Sequence, residues 1–349
     1  MSTLNETQPK PAELLGSKDW EGLLNPIDLS LRKLILRCGD FCQSTYDAFN
    51  NDPNSKYRGS CLYGRNSFFN KVYLPSASDY QIVSFLFASA KIDGLEALFA
   101  QQEIQGAWDN SQSNWMGFIA VTTDDASKAN GRREIYVAWR GTKLLVEGLA
   151  DVDIVKVDAR PLLAADDQSD VLFLNNPQVM NGHSLGAALA GLSAFDVAEN
   201  ATKDIPIAAF VFAMPKLGNE AFTKKIKAHQ NLKILHVKNV HDSVPNLPPI
   251  GYETVGTEVL FDNTKPPSLK SSQSIAEAHD LETLLYTVAG WNGKDGNFEL
   301  KVPRSLGLVN KNTGLIKTEY GYPETWWVEK NKGMVLDNGD WISAPPFQD

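Results

Sequence analysis

Cysteine is scarce: Cys38, Cys42 and Cys61 are the only three in 349 residues. Their number is odd and their spacing suits no metal site, so a reducing compartment is expected rather than a disulfide framework. Cys38 and Cys42 lie one helical turn apart and are expected to face a core. Positive charge is also short, since 33 Lys and Arg stand against 42 Asp and Glu and leave a net charge of −9. That balance offers no electrostatic footprint for nucleic acid and no general attraction to anionic lipid, so any membrane contact is expected to be hydrophobic and transient. No apolar run reaches the roughly 18 residues of a spanning helix. The N-terminal stretch lacks both the apolar segment of a secretory signal and the Arg-rich pattern of a transit peptide, which makes the cytoplasm the expected location.

What the chain does have is 43% hydrophobic residues, enough to bury a sizeable core. Residues 1–20 read as a polar lead-in and residues 21–349 as one α/β domain. After Asn25-Pro26, the spacing of Leu31, Leu34, Ile35, Cys38, Phe41 and Cys42 predicts an amphipathic helix that ends before Pro53. Residues 54–76 read as irregular, and the apolar spacing over 80–99 predicts a helix. Residues 115–123 and 134–139 predict two antiparallel strands with a tight turn at Asn130-Gly131. Ile135-Tyr136-Val137-Ala138-Trp139 within the second is apolar throughout, as in a strand buried on both faces. Residues 171–174 suggest a short strand. Gln178-Val179-Met180-Asn181 holds only two apolar residues and makes a poor central strand. Beyond it, a helix over 187–200, a strand over 205–214, a helix over 220–230 and a strand over 232–240 predict a parallel sheet with right-handed crossovers.

Between those elements lies Gly182-His183-Ser184-Leu185-Gly186. A Gly-x-Ser-x-Gly turn joins a strand to a helix so sharply that the residues two before and two after the serine crowd each other, and glycine has no Cβ to clash. Ser184 is therefore the candidate nucleophile, and the Leu185 N–H at the helix start is a candidate oxyanion donor. The same letters also suit an ordinary glycine-flanked helix N-cap. Thr142 follows Arg140-Gly141 at the end of a predicted central strand, where a second oxyanion donor would sit, although a plain strand-ending turn fits as well. Asp242 follows the strand over 232–240 and reads either as the acid partner or as a turn residue ahead of Pro245. Of five histidines, His183 belongs to the turn, His229 lies in a lysine-rich helix and is expected to be solvated, His236 sits inside a strand and His241 adjoins Asp242. His279 is left as the base, and Ser184, Asp242 and His279 then follow the chain order of α/β-hydrolases.

Five stretches together resemble the plant class III lipases, and most closely their phospholipase A1-II group: residues 115–124, 131–142, 182–188, 291–302 and 326–334. The resemblance implies an α/β-hydrolase (lipase class 3) fold with a mostly parallel central sheet flanked by helices. It also implies a Ser184, Asp242 and His279 triad, with Thr142 and Leu185 framing the oxyanion hole and Gly182 and Gly186 as elbow glycines. The implied activity is hydrolysis of the sn-1 acyl ester of glycerophospholipids, with no metal and no cofactor, on a phospholipid or other acyl-lipid substrate. One departure stands out. From Thr142 to Ser184 the chain advances 184 − 142 = 42 positions, about half of what the family has there. That shortening motivates an alternative, a lipase-like scaffold or binding protein with impaired catalysis. Leu144, Leu145, Val146 and Leu149 within the interval read either as a shortened lid or as core.

Overall fold

The computed structural model describes residues 8–52, 54–88, 114–142, 176–200, 205–271, 274–327 and 333–343. Their contacts group into a larger unit, Asp40–His236 with Val244–Gly256, and a smaller one, Met1–Gly39 with Val237–Ser243 and Thr257–Asp349. The periodic apolar run after Pro26 forms helix α1, Leu29–Asp47, along which Leu31, Ile35, Cys38, Phe41 and Cys42 are fully buried. Seven strands form one sheet in sequence order: β1 Tyr80–Ala88, β2 Asn114–Thr122, β3 Ile135–Trp139, β4 Gln178–His183, β5 Ile207–Phe212, β6 Leu232–Asn239 and β7 Thr257–Phe261. Strands β1 to β3 pair antiparallel, and β3, β4 and β5 pair parallel. With helix α2, Leu185–Asn200, between β4 and β5 and helix α3, Glu220–Ala228, between β5 and β6, this is the α/β-hydrolase arrangement. Among the described residues no helix is long and apolar enough to cross a membrane.

Three local expectations change. The helix expected over 80–99 is strand β1 as far as Ala88, and the rest of that stretch lies outside the described residues. Tyr80 and Ile82 are buried while Gln81 and Val83 are exposed, which is the two-residue period of a strand. Register shifts between Ile82 and Ser84 and between Leu86 and Phe87 then break the alternation, so the apolar spacing drifts toward a helical one. In place of the turn expected at Asn130-Gly131 there is a short helix, Asp124–Asn130, capped by the Thr123 hydroxyl and ended by Gly131 at φ 70°. Strand β4, expected to be poor, is buried at all six positions between β3 and β5. Its Asn181 amide nitrogen donates to the carbonyls of Val137 at 3.3 Å and Val179 at 3.2 Å, which offsets part of the cost of burying the side chain. The expected strand over 171–174 and the apolar residues from Leu144 to Leu149 lie outside the described residues.

The core of the larger unit shows why α2 is built of small residues. Ala187, Ala190, Ala194 and Ala198 recur at helical spacing and pack with Val137, Met180, Ile207, Ala209 and Val211. Short side chains bring the helix axis close to the sheet, which the sharp turn into α2 demands. A Cβ on Gly182 would collide with the Gly186 carbonyl and come within 2.6 Å of Ala187 N, and one on Gly186 would lie 2.8 Å from Gly141 N. In the smaller unit, helix α4, Leu281–Gly290, is buried at every position, and the Arg32 guanidinium donates to the carbonyls of Val288 and Trp291.

The glycine contacts yield the first expected outcome. Gly182→Ala and Gly186→Ala should each lower the unfolding free energy by about 2 kcal/mol, because backbone must shift to admit the methyl group. Gly64→Ala, where a Cβ meets nothing within 4 Å, should change it little. Chemical denaturation of the three variants checks this, and equal losses at all three sites would refute the steric account.

Candidate active site

The site begins with a backbone constraint. Ser184 adopts φ 61°, a left-handed conformation that a residue with a Cβ seldom takes. It is held there because β4 ends at His183 and α2 begins at Leu185, leaving one residue to turn the chain. The Ser184 N–H donates to the Phe212 carbonyl at 3.0 Å, and the Ala187 N–H donates to the Ser184 carbonyl at 2.9 Å. Ser184 is fully buried, and its Oγ makes no hydrogen bond among the described residues. Leu185 opens α2, and the first N–H groups of a helix have no intrahelical acceptor.

Strand β3 delivers Arg140-Gly141-Thr142 to the same end of the sheet, since Trp139 pairs with Gly182. Gly141 has no room for a side chain: a Cβ there would lie 2.5 Å from the His183 carbonyl oxygen and 3.2 Å from Ser184 Cβ. Arg140 braces this turn. Its guanidinium donates to the carbonyls of Gly141 at 3.0 Å and Trp115 at 3.2 Å and stacks 3.6 Å from the centre of the Phe49 ring. Burial lowers its pKa to about 10, which leaves it charged at neutral pH. Thr142 Oγ1 is buried and makes no hydrogen bond among the described residues.

In the smaller unit the structure joins two of the expected residues. His279 Nδ1 lies 2.7 Å from Asp242 Oδ2, and both side chains are buried. Asp242 sits in the turn after β6, where its N–H donates to the Asn239 carbonyl at 3.1 Å. His279 occupies the two-residue gap between helix Ile275–Ala278, opened by a Ser274 and Glu277 capping box, and α4, capped by Asp280. Burial pushes the Asp280 carboxyl up to about 6, against the hydrogen bonds it accepts from Thr283 N and Oγ1 at 2.8 and 2.7 Å.

Sequence reasoning missed the residues that hold these groups. Asn239 donates to the Ala278 carbonyl at 2.9 Å and accepts from the N–H of His241 and of Asn263, both at 3.3 Å, so it ties the Asp242 turn to the residue before His279. Asn239 is buried at the end of β6, two residues after Val237 on the same face of the strand. Tyr46 places its hydroxyl 2.8 Å from His183 Nδ1, and nothing in the local pattern of α1 marks it. The remaining histidines have structural partners. His236 Nε2 accepts from Met214 N at 3.0 Å, His241 lies 3.1 Å from Asp262, and His229, expected to be solvated, lies 2.9 Å from Glu199.

The class 3 lipase family model matches residues 172–252. Phospholipase A1-IIdelta of Arabidopsis thaliana is 42% identical over 395 aligned positions, covering 95% of this chain and 96% of that protein. Phospholipase A1-II 5 of Oryza sativa subsp. japonica is 39% identical, with 98% and 84% covered, and phospholipase A1-II 1 of Oryza sativa subsp. indica is 37% identical, with 95% of each covered. The 395 positions aligned with the Arabidopsis protein outnumber the 349 residues of this chain, so that relative carries residues with no counterpart here. Among solved structures, the nonglycosylated Lip2 lipase of Yarrowia lipolytica superimposes with a TM-score of 0.43 at 17% identity, over 69% of this chain and 83% of that chain. With relatives this similar along nearly its whole length, the chain belongs to the class 3 lipase family, beside the phospholipase A1-II proteins.

Proposed function

We propose that the chain is a serine acylhydrolase that cleaves the sn-1 acyl ester of glycerophospholipids, a phospholipase A1 activity. The observation that carries the reading is the buried 2.7 Å pair of Asp242 and His279, an arrangement suited to hold an imidazole in one tautomer and to stabilise its charged form. The names of the relatives support the choice of the sn-1 ester. His279 takes the Ser184 proton as Oγ attacks the ester carbonyl, and the electron pair of the C=O bond moves onto oxygen. The resulting oxyanion accepts from the N–H groups of Leu185 and Thr142. Collapse breaks the bond to the glycerol oxygen, His279 protonates that oxygen, and the lysophospholipid departs. Water then repeats the sequence on the acyl-serine and releases the fatty acid.

Peripheral contact with a lipid surface fits such a substrate, and a cytoplasmic setting fits three free thiols. A second reading, a lipid-binding scaffold with impaired catalysis, draws on the 42 positions between Thr142 and Ser184 and on the relative's residues that lack a counterpart here. A fluorophosphonate separates the two readings, because only an activated serine reacts with it.

The direct test is fatty-acid release from phosphatidylcholine with different sn-1 and sn-2 chains. The unsubstituted chain should release the sn-1 acid, and Ser184→Ala should release none while melting like the parent. Release of the sn-2 acid, or activity that survives Ser184→Ala, would refute the assignment. Asp242→Asn should keep the fold but lower kcat by roughly 10³ to 10⁴, because the amide favours the wrong imidazole tautomer. A loss of less than about tenfold would remove Asp242 from the mechanism.

A further inference from the structure

Tyr46, near the end of α1, brings its hydroxyl to a point where three segments of the larger unit converge. Its Oη lies 2.8 Å from His183 Nδ1 and donates to the His183 carbonyl oxygen at 3.4 Å. The two rings meet edge to face, with centroids 5.7 Å apart and planes at 71°. A Cβ on Gly141 would collide with this same hydroxyl. Both contacts to His183 are made at once when the imidazole carries its proton on Nδ1, for that N–H then donates to Oη and the phenol O–H is left for the carbonyl.

The carbonyl in question belongs to the peptide plane that joins residue 183 to residue 184. Rotation of this plane changes φ of Ser184, the dihedral angle that stands at 61°. Its N–H end is fixed by the Phe212 carbonyl at 3.0 Å, and its C=O end by Tyr46. We propose that Tyr46 is a positioning residue for the Ser184 nucleophile, clamping the 183–184 peptide plane through His183 and setting the spacing between Ser184 and the Gly141-Thr142 turn. This rests on the serine acylhydrolase reading. Tyr46 acts on Ser184 through its contacts with His183.

The test compares the unsubstituted chain with Tyr46→Phe, His183→Asn, His183→Leu and the Tyr46→Phe/His183→Leu double variant. Each is assayed for kcat and KM on mixed-chain phosphatidylcholine, for the rate of fluorophosphonate labelling, and for its melting temperature. Tyr46→Phe should lower kcat by roughly tenfold and slow labelling in proportion while KM stays within about twofold, because a shift well under 1 Å at the nucleophile is enough for such a loss. His183→Asn keeps a polar group near Nδ1 and should retain more kcat than His183→Leu, and Tyr46→Phe should cost less in the His183→Leu background than in the parent, because the imidazole contact is already gone while the residue 183 carbonyl remains. A lowered melting temperature with unchanged kcat would overturn the proposal by making Tyr46 merely structural, as would additive losses in the double variant. Equal labelling of the parent and Tyr46→Phe would overturn this proposal alone, whereas no labelling of the parent would remove the acylhydrolase reading and the clamp with it. If Tyr46→Phe does not fold, the two His183 variants decide the matter, and equal kcat values in them would overturn the clamp.

Discussion

A left-handed backbone at a residue that carries a side chain costs roughly 1 to 3 kcal/mol and persists only where the surroundings leave no alternative. At Ser184 those surroundings are a strand that ends one residue earlier, a helix that begins one residue later, and two glycines whose missing Cβ atoms let the segments approach. Much of the larger unit serves this turn. Strands β3 and β5 hold β4 from both sides, and the Phe212 carbonyl of β5 anchors the Ser184 N–H directly. The alanine face of α2 lets the helix lie close enough to the sheet for so abrupt a start. The result is a hydroxyl whose position follows from the sheet rather than from its own rotamer alone.

In the smaller unit the Asp242 and His279 pair depends on a different device. Burying a carboxylate beside an imidazole is favourable only when the remaining polar groups around the pair are satisfied. Asn239 meets part of that need with backbone contacts to both sides, reaching Ala278 with its amide nitrogen and taking the N–H groups of His241 and Asn263 on its amide oxygen. The capping box at Ser274 starts the short helix before His279 and the Asp280 cap starts α4 just after it, which leaves the His279 backbone little freedom. The imidazole is thus oriented by helix ends as much as by its carboxylate.

These two devices explain which parts were legible in the sequence. Elements whose cause is local could be read: the glycine pair about Ser184, the small-residue face of α2, and the strand and helix alternation from residue 205 to 240. Strand β1 could not, because its register shifts destroy the two-residue period on which the assignment relies. Strand β4 could not because its stability comes from neighbours on both sides and from Asn181 bonding to carbonyls, not from its own apolarity. Tyr46 and Asn239 escaped for the same physical reason. Tyr46 meets His183 across 137 positions and Asn239 meets Ala278 across 39, and no local period records either contact.

Arg140 shows how the two kinds of information combine. In sequence it is only the residue before Gly141-Thr142, and a charged residue at the end of an apolar strand ordinarily marks the strand's exit to solvent. In the structure it is 7% exposed, and its guanidinium faces carbonyl oxygens, the Met116 sulfur and the Phe49 ring. Carbonyl dipoles and an aromatic face offset the desolvation of a cation incompletely, which is why its pKa falls to about 10 and yet the charge survives at neutral pH. A planar guanidinium can stack and donate along several directions at once, whereas the ammonium of lysine cannot lie flat on Phe49 while reaching both Trp115 and Gly141. The cation therefore fixes the Gly141 carbonyl and keeps its positive charge two residues before Thr142. An arginine at this position braces the turn with a charge that is itself held by backbone carbonyls and an aromatic face.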